Sequence, residues 1–369
     1  MVEWKKLGEL GSFENIGTDK KIVEGEKLVT LLNYVDVYHH KYIDSSIPQM
    51  QVSASDTKIE KCTVEQGDIF VTPSSETVDD IGHSSVITET ISNAVYSYHI
   101  MRYRLFEKNM LLSYFINYVF DTDNVKKQIL KKAQGLTRFG LSKDKFASII
   151  IPVPSLSEQS RIVSILDTFT DSIDNLKQQI EQRRKQYEHY RDQLLDLEGK
   201  EGVEMIALGD VCKPITPPKK INTIDYLDKG LYPIIDQGQK SIVGYTNDEK
   251  SLVPAREYVL FGDHTRIVKY FKGQFAQGAD GLKILVPIYN IISRFLYFAL
   301  SSIEVPSRGY SRHWSIAKEI PIPVPSLEEQ SRIVSILDTF EASIANLEEQ
   351  LKLREKQYEY YRNKLLTFE

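Results

Sequence analysis

Residues 151–198 read IPVPSLSEQSRIVSILDTFTDSIDNLKQQIEQRRKQYEHYRDQLLDLE, and residues 322–369 read IPVPSLEEQSRIVSILDTFEASIANLEEQLKLREKQYEYYRNKLLTFE. The two blocks align without a gap at an offset of 171 residues, and 33 of their 48 positions are identical. A repeat of this quality indicates two copies of one structural unit. The segments that precede the blocks share only two short motifs, the shared anchors, in which 2–10 matches 203–211 and 135–139 resembles 309–313. The chain therefore alternates variable and shared parts.

Each shared block predicts one long helix. Proline disfavours helix in the residue before it, so the opening Ile-Pro-Val-Pro is expected to be extended. Ser155 followed by Glu158, and Ser326 followed by Glu329, then fit a capping box at the start of a helix. Beyond the cap, apolar residues recur at alternating spacings of four and three, which predicts a left-handed coiled coil. We expect the two helices to pair with each other in antiparallel orientation, because this gives the two halves of the chain a pseudo-two-fold relation.

The predicted seam of this coiled coil consists of equivalent positions in the two blocks. These positions are Leu166, Phe169, Ile173, Leu176, Ile180, Arg183 and Tyr187 in the first block, and Leu337, Phe340, Ile344, Leu347, Leu351, Arg354 and Tyr358 in the second. Arg183 and Arg354 interrupt the apolar pattern at matching places. Each arginine is either a polar core residue that sets the register of the coiled coil or a contact to a partner subunit.

The variable segments predict a mixed α/β (α+β) fold. Short runs of β-branched and aromatic residues, bounded by turn residues, indicate strands at 69–71, 86–88 and 97–101 in the first segment and at 257–261 and 265–271 in the second. Amphipathic stretches that indicate helices follow in both segments. The predicted division is a recognition module at 1–150, a helix at 151–202, a second module at 203–321 and a second helix at 322–369.

Charge and composition restrict the possible partners. The net charge is −5, with 26% charged residues, so a nucleic-acid surface would have to be a local basic patch. The segment 203–321 carries 15 basic and 12 acidic residues, whereas 1–150 carries 18 and 20. Apolar runs are too short to cross a bilayer. The two cysteines, Cys62 and Cys212, lack metal-ligand spacing, which favours free thiols, no zinc site and a cytoplasmic location.

Several motifs carry a resemblance to a known family. Gly135-Leu136-Thr137-Arg138 is similar to Gly309-Tyr310-Ser311-Arg312, and Gly67-Asp68-Ile69 and Gly262-Asp263 precede or follow strand-like runs. Together with the twice-repeated IPVPSL-EQ-RIV-ILD block, these motifs resemble the specificity subunit of type I restriction-modification enzymes. The resemblance covers nearly the whole chain.

The resemblance implies a function and a set of partners. Each variable segment would be a target recognition domain that reads one half of a bipartite, asymmetric site in double-stranded DNA. The shared helices would be an antiparallel spacer that docks two methyltransferase (M) subunits, and the complex would recruit restriction (R) subunits. S-adenosylmethionine, ATP and Mg²⁺ would then belong to the partner subunits, and this chain would hold no cofactor and no metal.

Two other interpretations remain open at this stage. The chain is alternatively the specificity subunit of a related type II (type IIB/IIG-like) restriction-methylation enzyme, or a structural coiled-coil adaptor. We find no methyltransferase Asn-Pro-Pro-Tyr-like motif, no Walker A loop and no Gly-x-Gly-x-x-Gly. Glu198-Gly199-Lys200 has the local spelling of a nuclease motif, but the second block does not repeat its lysine. We therefore expect no catalytic residue in this chain.

The candidate DNA-binding residues are polar side chains near the shared anchors. Arginine can bind guanine in a bidentate manner or clamp a phosphate, although Arg138 and Arg312 could equally be structural turn residues. The serine-rich turn, the lysine-bearing helix and the strand-associated histidine have similar structural alternatives. The full set is Ser74, Ser75, Thr77, Lys131, Lys132, Thr137 and Arg138 in the first module, and His264, Thr265, Arg266, Arg308, Ser311, Arg312 and His313 in the second.

Overall fold

The structure is a computed structural model that describes residues 2–107, 109–278, 281–307, 309 and 311–368. The chain divides into two units, of which the first consists of Met1–Asn175 with Leu351–Glu369 and the second of Leu176–Gln350. Each unit therefore contains one variable segment and parts of both shared helices. Within the described ranges, no helix combines the length and the apolar composition that crossing a bilayer would require.

The first unit mixes short strands and helices, as the sequence predicts. Its strands are β1 (Glu3–Lys6), β2 (Gly11–Glu14), β3 (Lys27–Leu32), β4 (Tyr42–Ile43), β5 (Met50–Ala54), β6 (Ile69–Val71), β7 (Ser74–Ser75), β8 (Ser84–Ile87), β9 (Ala94–Tyr96), β10 (Met101–Leu105), β11 (Phe139–Gly140) and β12 (Ile150–Val153). Its shorter helices are α1 (Leu7–Leu10), α2 (Tyr34–His39), α3 (Asp56–Lys61), α4 (Ser113–Phe120), α5 (Asp123–Lys132) and α6 (Lys143–Ala147). The long helix α7 (Leu156–Leu195) begins in this unit.

Two sheets form the body of the first unit. The larger has the strand order β2-β10-β6-β8-β4, and the smaller has the order β5-β3-β9. Pairing is antiparallel except between β4 and β8 and between β3 and β9. The first core packs helix α4 and residues of the long helices, including Ile162, Leu166 and Leu366, against the larger sheet. The second core lies around the smaller sheet.

The second unit is built around one larger sheet. Its strands are β13 (Glu204–Ala207), β14 (Cys212–Ile215), β15 (Tyr232–Ile235), β16 (Gly244–Thr246), β17 (Leu252–Gly262), β18 (Val268–Gln277), β19 (Leu282–Pro287) and β20 (Pro321–Val324), and its helices are α8 (Leu208–Val211), α9 (Ser293–Ser302) and α10 (Trp314–Ala317). The sheet order is β14-β19-β17-β18-β15-β16, with β15 parallel to β18. The long helix α11 (Leu327–Leu366) begins in this unit, where Ile333 and Leu337 join the core.

Each unit contains the same shared frame, which consists of one strand pair (β1 with β12, or β13 with β20) and the long helix that follows it, although the larger sheets differ. In the first unit β1 pairs with β12 in antiparallel register, with Glu3 opposite Val153. In the second unit β13 pairs with β20, with Glu204 opposite Val324. The Ile-Pro-Val-Pro segments are thus strands, which agrees with the extended conformation expected before proline.

The helix starts differ from the predicted capping box in one respect. The Ser155 Oγ accepts a bond from the backbone N–H of Glu158 at 3.4 Å, and Ser326 accepts one from Glu329 at 3.2 Å. The glutamate side chains, however, pair forward: Glu158 binds Arg161 through both carboxylate oxygens, at 2.6 and 2.8 Å. The second block repeats this pairing between Glu329 and Arg332. A guanidinium one turn ahead competes successfully for the carboxylate.

Two predicted strands are partly turns. Residues 97–101 were expected to form a strand, but only Met101 belongs to one, and a bond from the Ile100 N–H to the Ser97 carbonyl closes a turn between β9 and β10. Residues 265–271 were expected to form another, but β18 begins only at Val268. Local hydrogen bonds of serine and threonine side chains favour turns over strands at both places.

The long helices pack in antiparallel orientation in the second unit. Arg184 Nη2 lies 2.5 Å from Glu348 Oε1, and Tyr187 donates to Glu341 at 3.1 Å. The Tyr190 ring stacks on Phe340 at 5.4 Å. Rising residue numbers in α7 therefore face falling numbers in α11. The predicted antiparallel pairing is confirmed for these segments.

A buried glutamine at the start of each long helix fastens the variable module to the shared frame. Gln159 and Gln330 are each 0% exposed. The Gln159 amide accepts from the Leu112 N–H at 2.9 Å and donates to the Met110 carbonyl at 3.1 Å. The second unit repeats the pattern: the Gln330 amide accepts from the Ile292 N–H at 2.8 Å and donates to the Asn290 carbonyl at 2.9 Å. Each amide also donates to the carbonyl of its own block, that of Pro154 or Pro325.

An aspartate eight residues further along each long helix contacts the module through different donors in each unit. The carboxylate of Asp167 accepts from the hydroxyl groups of Tyr42 and Tyr118, both at 2.5 Å. The equivalent Asp338 instead binds Arg294 Nε at 2.6 Å. The same helix position therefore accepts hydrogen bonds from unrelated side chains of the two modules.

Lys41 is an unusual charge inside the first unit. Its ammonium nitrogen lies 2.9 Å from the centroid of the Tyr118 ring and has no hydrogen-bond partner among the described residues. Burial lowers the pKa of Lys41 to about 7, although the carboxylates of Asp121 and Asp167 act in the opposite direction. Near neutral pH the folded chain therefore binds this proton less tightly than the unfolded chain does.

We expect Gln330→Leu to destabilise the second unit by about 2–3 kcal/mol, because it removes three hydrogen bonds of a fully buried amide and leaves the Ile292 N–H and the carbonyls of Asn290 and Pro325 without this partner. Urea denaturation followed by circular dichroism measures the effect. Gln350→Leu, at an exposed position of the same helix, is the matched control. Equal midpoints for the two variants would contradict the role of the buried amide.

We expect Lys41→Met to stabilise the chain at pH 6 by ~2 kcal/mol, with the gain shrinking toward pH 10. The sign follows because the pKa of Lys41 in the folded chain, about 7, lies below the unfolded value of about 10.4. At low pH the buried positive charge lowers the stability of the wild-type chain, and this destabilisation disappears as the pH rises and Lys41 loses its proton. Melting temperatures at pH 6, 8 and 10 test this. The exposed Lys61→Met should show a difference that does not vary with pH.

Candidate nucleic-acid interface

In the first unit, a short strand pair joins the serine-rich turn to the predicted arginine loop. Strands β7 and β11 pair so that Ser75 lies opposite Phe139 and Ser74 opposite Gly140. The Arg138 Nη2 lies 3.3 Å from the Ser74 Oγ. Four predicted site residues, Ser74, Ser75, Thr137 and Arg138, are therefore brought together by this pairing.

The arginine loop is closed and tight. Reciprocal bonds link the backbones of Gln134 and Gly140, at 2.8 and 3.0 Å. Gly135 has a φ of +143°, and a Cβ there would lie 1.9 Å from the Arg138 carbonyl oxygen. Only glycine fits this position. Leu136, at the tip, is 96% exposed, so the loop presents Thr137 and Arg138 to solvent on a fixed backbone.

Sequence reasoning missed several neighbours of this loop. Burial is the largest influence that raises the pKa of Tyr34, whose hydroxyl also interacts with Ser75 and Arg138. Partial burial, followed by the positive charges of Lys20 and Arg138, lowers the pKa of His99. His99 also lies against the half-exposed ring of Tyr98, at 3.9 Å between centroids. In the sequence, the adjacent basic residues Lys20 and Lys21 could have indicated this corner.

Thr77 and the two helix lysines have local partners. The Thr77 hydroxyl donates to Asp80, and this bond is the largest influence that lowers the pKa of Asp80. Lys132 Nζ donates to the Ser148 Oγ at 2.9 Å. Lys131 is exposed on the last turn of α5. These residues stay candidates for DNA contact, but the structure gives Thr77 and Lys132 bonds within the module.

In the second unit, the predicted residues divide between two surfaces. Thr265 donates to the Gln237 carbonyl at 2.6 Å, in the turn between β17 and β18. Arg266 has a φ of +62° and donates from Nη1 to the Val305 carbonyl at 2.9 Å. Arg312 is exposed and lines a different cavity of about 230 Å³ together with Lys220 and Lys283. Sequence reasoning identified Arg312 but not the two lysines.

His313 has a structural position. It is 1% exposed, and its backbone N–H and its Nδ1 both lie within hydrogen-bond distance of the Asp263 carbonyl oxygen, at 2.7 and 2.9 Å. The histidine predicted to face DNA therefore packs inside the module, because Asp263 offers it a fixed carbonyl at the end of β17. His264 and Ser311 are only partly exposed. Arg308 lies outside the described residues.

The predicted seam positions are all buried or half-buried in their own units. The Arg183 guanidinium lies 5.8 Å from the Phe340 ring centroid in the second unit, and Arg354 lies 5.7 Å from that of Phe169 in the first. Phe169 also stacks on Tyr361, at 5.3 Å. Each arginine thus covers the phenylalanine of the other block, which is a cation–π contact rather than an unpaired polar residue in an apolar seam.

Comparisons with known proteins identify the class to which these features belong. Residues 1–183 and 200–354 match the family described as the type I restriction modification DNA specificity domain. The chain belongs to this family, the DNA-sequence specificity (S) subunits of type I restriction-modification systems.

Individual relatives agree with this family. The chain is 32% identical over 270 residues to the Type I restriction enzyme EcoR124I/EcoR124II specificity subunit of Escherichia coli, which covers 64% of this chain and 66% of that protein. The match therefore spans just under two thirds of the relative's length.

Two solved structures share the fold. The type I restriction-modification S subunit from M. genitalium has a TM-score of 0.64 at 17% identity, with 100% of this chain and 97% of that chain covered. A second chain, from a study of complex assembly and conformational transition of the type I R-M system, has a TM-score of 0.57 at 17% identity, covering 99% and 96%.

We expect Arg138→Ala to weaken binding of cognate DNA by about 1–3 kcal/mol if the guanidinium contacts a base, with relaxed preference in one half of the site only. The side chain is exposed, so the melting temperature should not change. Affinity for duplexes altered in one half-site at a time measures the effect, with the exposed Lys143→Ala of the same unit as control. A lowered melting temperature would point to a folding defect, whereas equal loss on all duplexes at an unchanged melting temperature would assign the guanidinium to a phosphate rather than to a base.

Proposed function

We propose that this chain recognises a bipartite, asymmetric DNA site and directs methyltransferase and restriction subunits to it. The observation that carries the proposal is the combination of one repeated frame with two different modules. The frame repeats down to single contacts, as Gln159 and Gln330 illustrate, whereas the sheets have five strands with a separate three-stranded sheet in one unit and six strands in the other. Two different reading surfaces imply two different half-sites.

The frame also supports the proposed partners. The long helices carry exposed polar faces outside their seams, including Glu181 and Lys185, which pair with each other at 2.6 Å. A structural neighbour comes from work on assembly of the type I R-M system. In this proposal two methyltransferase subunits dock on the shared helices, and the restriction subunits join that complex.

The proposal gives this chain no chemical step of its own. S-adenosylmethionine would be bound by the methyltransferase subunits, and ATP and Mg²⁺ would serve the partner subunits. The role of this chain is to hold DNA in register through polar and charged side chains, of which Arg138 and Arg312 are the leading candidates. The chain would function in the cytoplasm, where its DNA is.

Methylation mapping tests the proposal directly. A host that expresses this chain with its methyltransferase partner should carry one two-part, asymmetric methylated motif, and deletion of this chain should abolish that motif. Replacement of residues 203–321 by a second copy of 1–150, aligned at the shared anchors, should convert the motif into a palindrome, because two-fold protein symmetry imposes two-fold symmetry on the site. The control is the reciprocal replacement, which should give the other palindrome.

Four outcomes would contradict the proposal. One is a motif that persists without this chain, and another is a contiguous motif without a spacer. The third is methyl transfer by the purified chain alone. A replacement chain that is folded and binds its partner but leaves the original asymmetric motif unchanged would show that the modules do not read the half-sites.

A further inference from the structure

The cavity beside Arg312 concentrates positive charge in the second unit. Its described polar lining includes Lys220, Lys283 and Arg312, against a single carboxylate, that of Asp263. The Asp263 carboxylate is already engaged, since it accepts from the Trp314 N–H at 2.7 Å and lies 3.4 Å from Lys283 Nζ. The volume, about 230 Å³, far exceeds the roughly 30 Å³ that one water molecule occupies. The cavity can therefore admit an anionic group larger than water.

The three cations reach this cavity from separate, fixed elements. Lys283 lies in β19, opposite Phe261 of β17. The backbone of Lys220 is held by a bridge to Gln277, and the next residue donates to the Gln277 carbonyl at 2.9 Å. Arg312 directly precedes His313, whose N–H donates to Asp263. The backbones are thus positioned before any ligand arrives, which lowers the cost of binding.

The first unit repeats the combination of a lysine pair and a loop arginine. Lys20-Lys21-Ile22 follows β2, and Lys219-Lys220-Ile221 follows β14. In the first unit, the charges of Lys20 and Arg138 act on the same histidine, His99. Both modules therefore carry a lysine pair after the first strand of their larger sheet and an arginine in the Gly-x-Thr/Ser-Arg motif, and in the second unit the structure brings Lys220 and Arg312 to one cavity.

This repetition distinguishes a backbone contact from a base contact. Modules that read different bases must differ in the side chains that face base edges, whereas every half-site presents the same phosphates. A feature retained by two otherwise divergent modules therefore fits the part of the ligand that does not vary. We infer that Lys220, Lys283 and Arg312 form a phosphate-binding site that holds the DNA backbone at the half-site read by the second unit. The inference rests on the proposed function.

The salt dependence of DNA binding tests this site. Each phosphate contact adds about 0.9 to the slope of log affinity against log salt. We expect Lys220→Gln, in the full chain with its methyltransferase partner, to lower that slope by about one and to lower affinity at 150 mM salt by about 3–10-fold. Specific and non-specific duplexes should lose equally, and the methylated motif should not change. Lys220→Arg should keep the slope.

A matched control lies in the same sheet. Lys272 of β18 is exposed and pairs with Glu257 of β17 at 3.1 Å. Glu257 lies about six residues before the end of β17 that borders the cavity, which corresponds to roughly 20 Å along the strand. Lys272→Gln removes the same charge from the same unit and should leave the slope closer to that of the wild-type chain. Lys283 is less suitable for substitution, because its removal would leave the Asp263 carboxylate buried without its cation.

Neutral backbone substitutions identify the phosphate. Single methylphosphonates are placed in turn along the second half-site. A methylphosphonate at the contacted position should lower the affinity of the wild-type complex for DNA. The same substitution should not lower the affinity of the Lys220→Gln complex any further.

An unchanged salt slope for a folded Lys220→Gln chain that still prefers cognate DNA would overturn this inference and leave the proposed function intact. A wild-type complex without sequence preference would instead overturn the proposed function. If millimolar inorganic phosphate lowers the affinity of the wild-type complex for DNA, and no single methylphosphonate position does, the cavity is a site for free anions. That result would also overturn the inference.

Discussion

The contact between each long helix and its own module depends on a few buried polar groups. A helix that carries an apolar seam can bury it against many surfaces, since hydrophobic contact has little directionality. The side-chain amides of Gln159 and Gln330 add direction, because a buried amide must meet a donor and an acceptor at fixed places. The register of each module on its helix follows from this requirement. Asp167 and Asp338 then add a second contact further along the helix.

The pairing of the two blocks includes an exchange of aromatic and cationic groups. Arg183 covers Phe340, and Arg354 covers Phe169. Because the two contacts are related by the same offset of 171 residues, the sequence repeat is expressed as a repeat of contacts. An arginine in the seam is then compatible with apolar packing, since its planar guanidinium lies on a ring and its charged edge can remain hydrated.

The fold was largely predictable, and the site only in part. Periodicity shows the long helices directly, and both extend over 40 residues. The strands predicted at 97–101 and 265–271 are partly wrong, because strand-like composition does not reveal the side-chain hydrogen bonds that form turns. One such bond joins the Thr265 hydroxyl to the Gln237 carbonyl. Arg138 and Arg312 could be selected because they belong to a repeated motif. Lys220 and Lys283 could not, because they meet Arg312 only through sheet pairing between segments distant in sequence. The burial of His313 likewise depends on Asp263, fifty positions away.

The glutamine contacts have a consequence for how such a chain can change over generations. Gln159 and Gln330 bind the module through a backbone N–H and a backbone carbonyl two residues earlier, and neither group depends on side-chain identity. A foreign module can satisfy the buried amide with that pair of main-chain atoms whatever its side chains, while the apolar packing and the contact to Asp167 or Asp338 still depend on its sequence. A variable segment can therefore change without a matching change of Gln159 or Gln330 in the long helices.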